Sequence, residues 1–276
     1  MTITTMFIHN DEGDILALKY AAELASLHKQ PLRVVCSIPD PSNVYAYSTP
    51  EFAIGVSTVL SKQIIEEQET ARARSAEAFE KVIASSGLST DQAEFVYEPG
   101  YPPDVAAREA LLASALVFPR AASQGGHALS GSCEHVMMDR ALPVLIAGND
   151  PKPSGPVIVA WDASDQAARS LRFHVPLFRE TGPFIIAQSE DGLKRRGDAT
   201  SPETLKAWLS HQGVEASIES VSSPVGNGLL ELSYANEAAM IISGAYGHSR
   251  AGQYLFGGVT RTLMHAEAAP ALALCH

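Results

Sequence analysis

Short apolar runs alternate along the chain with longer segments in which apolar residues recur every three to four positions. In the second half the short runs read as strands over 157–161, 184–187, 216–221, 240–243 and 271–274. The longer segments between them read as helices over 164–178, 201–211, 228–236 and 259–265. Local signals support these helices: Ser201 is placed as an N-cap with Pro202 at the first helical position, and Gly213 sits where a C-cap glycine belongs. Pro176 inside 164–178 predicts a kink or an early stop. The first half gives the same order, with strands over 5–9, 32–37, 93–97, 115–118 and 144–147. Its helices fall over 14–27, 56–85, 103–112 and 132–138. Strands that alternate with helices in this way form a parallel sheet covered on both faces.

Between the halves lies Gly148-Asn149-Asp150-Pro151-Lys152-Pro153-Ser154-Gly155-Pro156, whose prolines and glycines mark a linker. It cuts the chain near its middle and exposes an internal repeat. The expected organisation is two tandem α/β domains, residues 1–150 and 151–276. The first is lengthened by a segment from about residue 40 to 62 that begins as a loop and carries Tyr45 and Tyr47, a candidate partner surface.

Composition narrows the function. The 276 residues carry 31 acidic and 20 basic side chains, a net charge of −11, which removes the diffuse positive field that nucleic-acid binding needs. Any anionic ligand must then be held by local geometry. The first residues form no signal peptide and no apolar run reaches the length of a membrane span, so the expected location is the cytoplasm, away from membranes. Cys36, Cys133 and Cys275 are an odd number at wide spacing and read as buried or incidental thiols. The nine histidines, His127 and His135 among them, show no metal-ligand spacing, so no metal site is expected.

The candidate chemistry lies after the fourth strand of the second half. There Gly244-Ala245-Tyr246-Gly247-His248 opens a run that ends in Gly257-Gly258-Val259 at the next helix. Glycines at a strand end let backbone approach a ligand, and glycines at a helix start present free N–H groups to an anion. From Ala238 through Ala266 there is no Asp or Glu, while Arg250 and Arg261 are present. Asp162 ends the first strand of this half. In a parallel sheet of order 3-2-1-4-5 the ligand crevice opens between strands 1 and 4, where Asp162 and Gly244 sit. There Asp162 either accepts a hydrogen bond from an adenine amino or ribose hydroxyl group, or caps the following helix. Gly226-Asn227-Gly228 matches only part of a dinucleotide fingerprint and reads as a turn.

The spacing Gly244-x2-Gly247-x9-Gly257, with the aspartate after strand 1, resembles the universal stress protein family over residues 156–276. The resemblance implies a Rossmann-like, adenine nucleotide alpha hydrolase-like fold in each half, a five-stranded parallel sheet of order 3-2-1-4-5. It implies ATP or AMP as ligand, with Mg²⁺ as a companion of the phosphates. Asp162 would face the base, Gly244, Gly247 and His248 the ribose and phosphates, and Gly257, Gly258 and Val259 the phosphates. The family's Ser or Thr after the last motif glycine is Gly258 here, which removes one hydroxyl donor worth about 1 kcal/mol.

In the first half the corresponding turn is near Pro119-Arg120-Ala121-Ala122, Ser130-Gly131 replaces the final glycines, and His9 or Asn10 stands near the aspartate position. Proline removes an N–H there, so this half is expected not to bind nucleotide in the same way. The resulting expectation is a cytoplasmic stress-response protein that binds one adenine nucleotide per chain and acts through an unidentified protein partner. No residue is expected to be catalytic, and turnover would be at most weak ATP hydrolysis. The alternative is a nucleotide-free interaction scaffold with a relic loop. The family's last strands pair across a two-fold axis; strands 144–147 and 271–274 would make that pairing internally, a pseudo-dimer within one chain, with a homodimer as a further step.

Overall fold

The computed structural model describes residues 2–8, 11–38, 58–189, 200–245 and 258–276. Among the described residues ten strands form a single sheet: β1 Thr2–Met6, β2 Leu32–Cys36, β3 Ala93–Tyr97, β4 Ala113–Phe118, β5 Val144–Ile146, β6 Val157–Ala160, β7 Phe184–Gln188, β8 Ala216–Ser220, β9 Met240–Gly244 and β10 Ala271–Cys275. Their order is β3-β2-β1-β4-β5-β10-β9-β6-β7-β8. Each set of five therefore runs 3-2-1-4-5. The two sets are mirrored in order about an antiparallel seam in which Leu272, Ala273 and Leu274 of β10 face Ile146, Leu145 and Val144 of β5. All other pairings are parallel.

The helices are α1 Glu12–His28, α2 Thr58–Ser85, α3 Pro102–Ala110, α4 Arg120–Gln124, α5 Ser130–Glu134, α6 Asp165–Phe178, α7 Pro202–His211, α8 Val225–Ala235 and α9 Gly258–His265. The chain runs from α5 directly into a π-helical turn over His135–Asp139. Because side chains alternate along a strand, successive residues feed two separate cores. Val117, Val159 and Ala273 pack with Leu18, Val82, Leu171 and Leu209 on one face. Leu116, Ile158 and Leu272 pack with Val105, Cys133, Leu229 and Leu263 on the other. Burial on both faces is why the strands read as continuous apolar runs. All three cysteines are free and buried within this layering, and burial pushes their thiols up, Cys133 to about 12.

Four expectations are corrected. The first strand is Thr2–Met6, not 5–9, because buried threonines stand in for apolar residues; the Thr5 hydroxyl donates to Val117 O at 3.1 Å. Of the kink or early stop expected at Pro176, the stop does not occur, and α6 continues to Phe178 as its apolar pattern predicts. The hydrogen bond that Pro176 forfeits would go to Arg172 O on the exposed side of the helix. The eighth helix starts at Val225 rather than 228, so Gly226 is a helical contact glycine and not a turn. A Cβ there would lie 2.8 Å from Thr262 Cβ, where α8 packs on α9. The turn expected near Pro119-Arg120-Ala121-Ala122 is instead the start of the short α4.

Candidate functional site

A cleft of about 280 Å³ opens at the carboxyl ends of β6 and β9. Small-molecule sites start at about 300 Å³, so the volume suits a compact ligand. Asp162, Gly244, Gly258 and Val259 all border it, together with Ser164, Gln166 and Thr260. Gly247, His248 and Gly257, along with Arg250, lie outside the described residues, as do His9 and Asn10 of the first half.

Each bordering group is placed by the local fold. Asp162 follows the end of β6 and is exposed. Its Oδ1 accepts from Ser164 N at 2.9 Å, which tightens the turn into α6. Ser164 then caps α6, its hydroxyl accepting from Ala167 N at 3.1 Å. Helix capping thus falls to Ser164, and the carboxylate of Asp162 keeps acceptor capacity at the cleft mouth. Trp161 forms part of the wall and is oriented by its indole N–H, which donates to Thr200 O at 2.9 Å. Val225, Leu229 and Ala187 add apolar surface suited to a flat ring.

The same cleft is bordered by the amino-terminal end of α9. The first turn of a helix has N–H groups without intrahelical partners and carries the positive end of the dipole, so Gly258, Val259 and Thr260 bring amides suited to an anion. An added Cβ at Gly258 would meet nothing within 4 Å. Gly244 is different. A Cβ there would lie 2.7 Å from Ala167 N and 2.9 Å from Gln166 C, so its lack of a side chain is what lets the first turn of α6 close onto β9. The sequence reading places this glycine at the ligand; the geometry adds a packing role to its place on the cleft border. Asp162 is the only Asp, Glu, His, Lys or Arg among the described lining residues.

At the corresponding place in the first half, Asp11 caps α1, its Oδ1 accepting from Asp14 N at 3.0 Å. His127, 113 residues further on, brings its Nε2 to 3.1 Å from Asp14 Oδ1, with both side chains buried. The Asp14 carboxylate raises the His127 pKa above its ordinary value, against the opposing effect of burial. Asp11, Asp14 and His127 are close enough to share a cation. However, Leu129 N donates to His127 Nδ1 at 3.1 Å, which leaves the proton of the neutral ring on Nε2, facing the carboxylate. A metal-binding histidine needs a lone pair at that atom and a donor at the other. The arrangement is that of a histidine held on an aspartate. Spacing along the chain gave no hint of it.

The likeness of the whole chain to solved structures follows this layout. A universal stress protein from Archaeoglobus fulgidus DSM 4304 superposes with a TM-score of 0.65 at 18% identity, covering 99% of this chain and 97% of that one. The chain has the universal stress protein fold. A functionally unknown protein from Pseudomonas aeruginosa PAO1 superposes at 0.51 with 12% identity, covering 99% of this chain and 92% of that one. A protein from strain UCBPP-PA14 of the same species, provisionally assigned to the universal stress proteins, gives 0.50 with 11% identity over 99% of this chain and 91% of that one. No family model and no curated protein matches the chain. At these identities the likeness is one of fold. The universal stress protein fold explains the α/β layering and the mostly parallel sheet over the full length of the chain.

Proposed function

We propose that this chain is a cytoplasmic stress-response protein that binds one adenine nucleotide, ATP, ADP or AMP, in the cleft between β6 and β9. One observation carries the reading: an exposed carboxylate and the amide end of a helix border the same cleft at the switch point of the sheet. Asp162 would accept from a ribose hydroxyl or the adenine amino group, with the ring against Val225, Leu229 and Trp161. The phosphates would lie on Gly258, Val259 and Thr260, with Gly247, His248 and Gly257 of the motif as further ligands. Glu and Asp are absent from Ala238 to Ala266, so nothing in that stretch repels them.

With a single carboxylate and no cationic side chain among the described lining residues, the site suits binding better than phosphoryl transfer, which needs metal-holding carboxylates and a positioned base. Any Mg²⁺ would arrive bound to the phosphates. The protein then acts by changing its affinity for a partner when nucleotide is bound.

The test is calorimetric titration of nucleotide-stripped protein with ATP, ADP and AMP, repeated with Asp162→Ala and Gly247→Val. One site per chain, weakened in both variants, is the expected result. Silence with all three ligands in folded protein would overturn it and favour the scaffold reading, for which the missing hydroxyl at Gly258 already speaks. Metal-dependent release of phosphate, lost in the same variants, would move the protein into the enzyme class.

A further inference from the structure

No residue of the first half is among the described residues that line the cleft, yet the first half grips the helix that borders it. Arg120 opens α4 just past the end of β4 and is only 9% exposed. Its Nη1 donates to Leu263 O at 3.2 Å, and its Nη2 donates to Ala269 O at 3.1 Å and Pro270 O at 2.6 Å. One turn along α4, Gln124 Nε2 donates to Met264 O at 2.9 Å. Leu263 and Met264 belong to the last turn of α9, whose carbonyls have no partner within the helix. Two of those carbonyls are therefore satisfied by side chains from the other side of the β5–β10 seam. The remaining two bonds fix the turn that leads into β10.

Among the described residues the guanidinium of Arg120 has no carboxylate partner, which makes its burial costly, and burial pulls it down to about 10. Its hydrogen-bonded partners among the described residues are backbone carbonyls. The positive charge sits at the negative end of the α9 dipole. α9 has only eight residues, about 12 Å at 1.5 Å per residue, and its opposite end presents Gly258, Val259 and Thr260 to the cleft. A rod of two turns held at one end has little freedom to reorient at the other.

We infer that Arg120 is a positioning residue for the nucleotide site, through which the first half sets how tightly the second half holds phosphate. This rests on the nucleotide reading of the cleft. Gln124 assists, and Asp162 with the apolar wall, which hold the nucleoside, are independent of it. The first half then contributes to binding through α4, in the place where the second half carries its first motif glycines.

The experiment compares full-length wild type with Arg120→Met, which keeps an unbranched stem without donors, and Arg120→Lys, which keeps the charge but not the three-carbonyl grip. Affinities for ATP, AMP and adenosine are measured by titration, and amide exchange in α9 is followed without ligand. The expected result for Arg120→Met is a tenfold or greater loss for ATP and AMP, less than twofold for adenosine, and faster exchange confined to α9. Arg120→Lys should fall between. Should Arg120→Met fail to fold, Gln124→Ala tests the same grip through Met264 alone, with a loss of about threefold for ATP and AMP.

Wild-type affinity for all three ligands in folded Arg120→Met would overturn the inference while leaving the nucleotide reading intact. Equal losses for adenosine and ATP would reduce Arg120 to a structural clamp. Wild type that binds no adenine compound would overturn the nucleotide reading and this inference with it.

Discussion

Gly244→Ala separates two reasons for having a glycine at the end of β9. The new Cβ would lie 2.7 Å from Ala167 N, 2.9 Å from Gln166 C and 2.9 Å from Gln166 Cβ, closer than such atoms approach. Two of these are backbone atoms of the first turn of α6. That turn is pinned by Ser164 Oγ on Ala167 N at 3.1 Å and by Asp162 Oδ1 on Ser164 N at 2.9 Å, so relief requires moving a capped helix end. Overpacking of this kind costs about 1–3 kcal/mol. At about 2–4 °C per kcal/mol for a chain of this size, the melting midpoint should fall by about 2–12 °C. Urea unfolding of nucleotide-free protein is the assay, with the slope unchanged and the midpoint lowered. A variant within about 0.5 kcal/mol of wild type, yet weakened for nucleotide, would refute the packing argument and return Gly244 to the ligand.

Gly258→Ser enters open space at the first position of α9, so it should leave stability within about 0.5 kcal/mol. The new hydroxyl should tighten ATP about fivefold, without effect on adenosine; titration that shows no gain for ATP would place the phosphates elsewhere. Burial lowers the pKa of His174 to about 4, overriding the opposing effect of its hydrogen bond to Ser170 O. The folded state therefore binds fewer protons than the unfolded one between about pH 4 and 6.5. Stability that is whole above pH 6.5 should fall as pH drops, by about 3 kcal/mol in total, and His174→Gln should flatten that slope in urea titrations at pH 4.5–7. His127 shifts the other way, chiefly through Asp14, so its contribution is complete below its unfolded value of about 6.5 and is lost as pH rises through the raised folded value. Asp14→Asn should bring the His127 titration seen by NMR back down, and an unmoved titration would show that the carboxylate is not its cause.

The layering was legible because strands buried on both faces leave apolar runs that no surface strand would, and because 148–156 interrupts them so plainly. The residues meant to frame a cleft were legible in part. Asp162, Gly244, Gly258 and Val259 do line one cleft, since strand ends and helix starts are where the sheet topology must converge. The packing role of Gly244 was not legible, because the atoms it makes room for lie on α6 and spacing says nothing of their approach. Arg120 escaped notice for a similar reason: its acceptors are backbone carbonyls 143–150 residues away, and a carbonyl carries no sequence signature. His127 looked incidental beside an undistinguished loop until the fold brought Asp14 to it.

The antiparallel meeting of β5 and β10 has one more effect. When two identical chains join through such strands, every substitution appears on both sides of the axis, and a feature useful on one side must be tolerated on the other. Here the partners are covalently continuous, so their encounter does not depend on dilution and the two sides are free to differ. One side can carry proline and arginine where the other carries glycine and alanine, and lend a side chain across the boundary without receiving the same one back. Such one-way assistance is open to a fused pair and closed to a symmetric one.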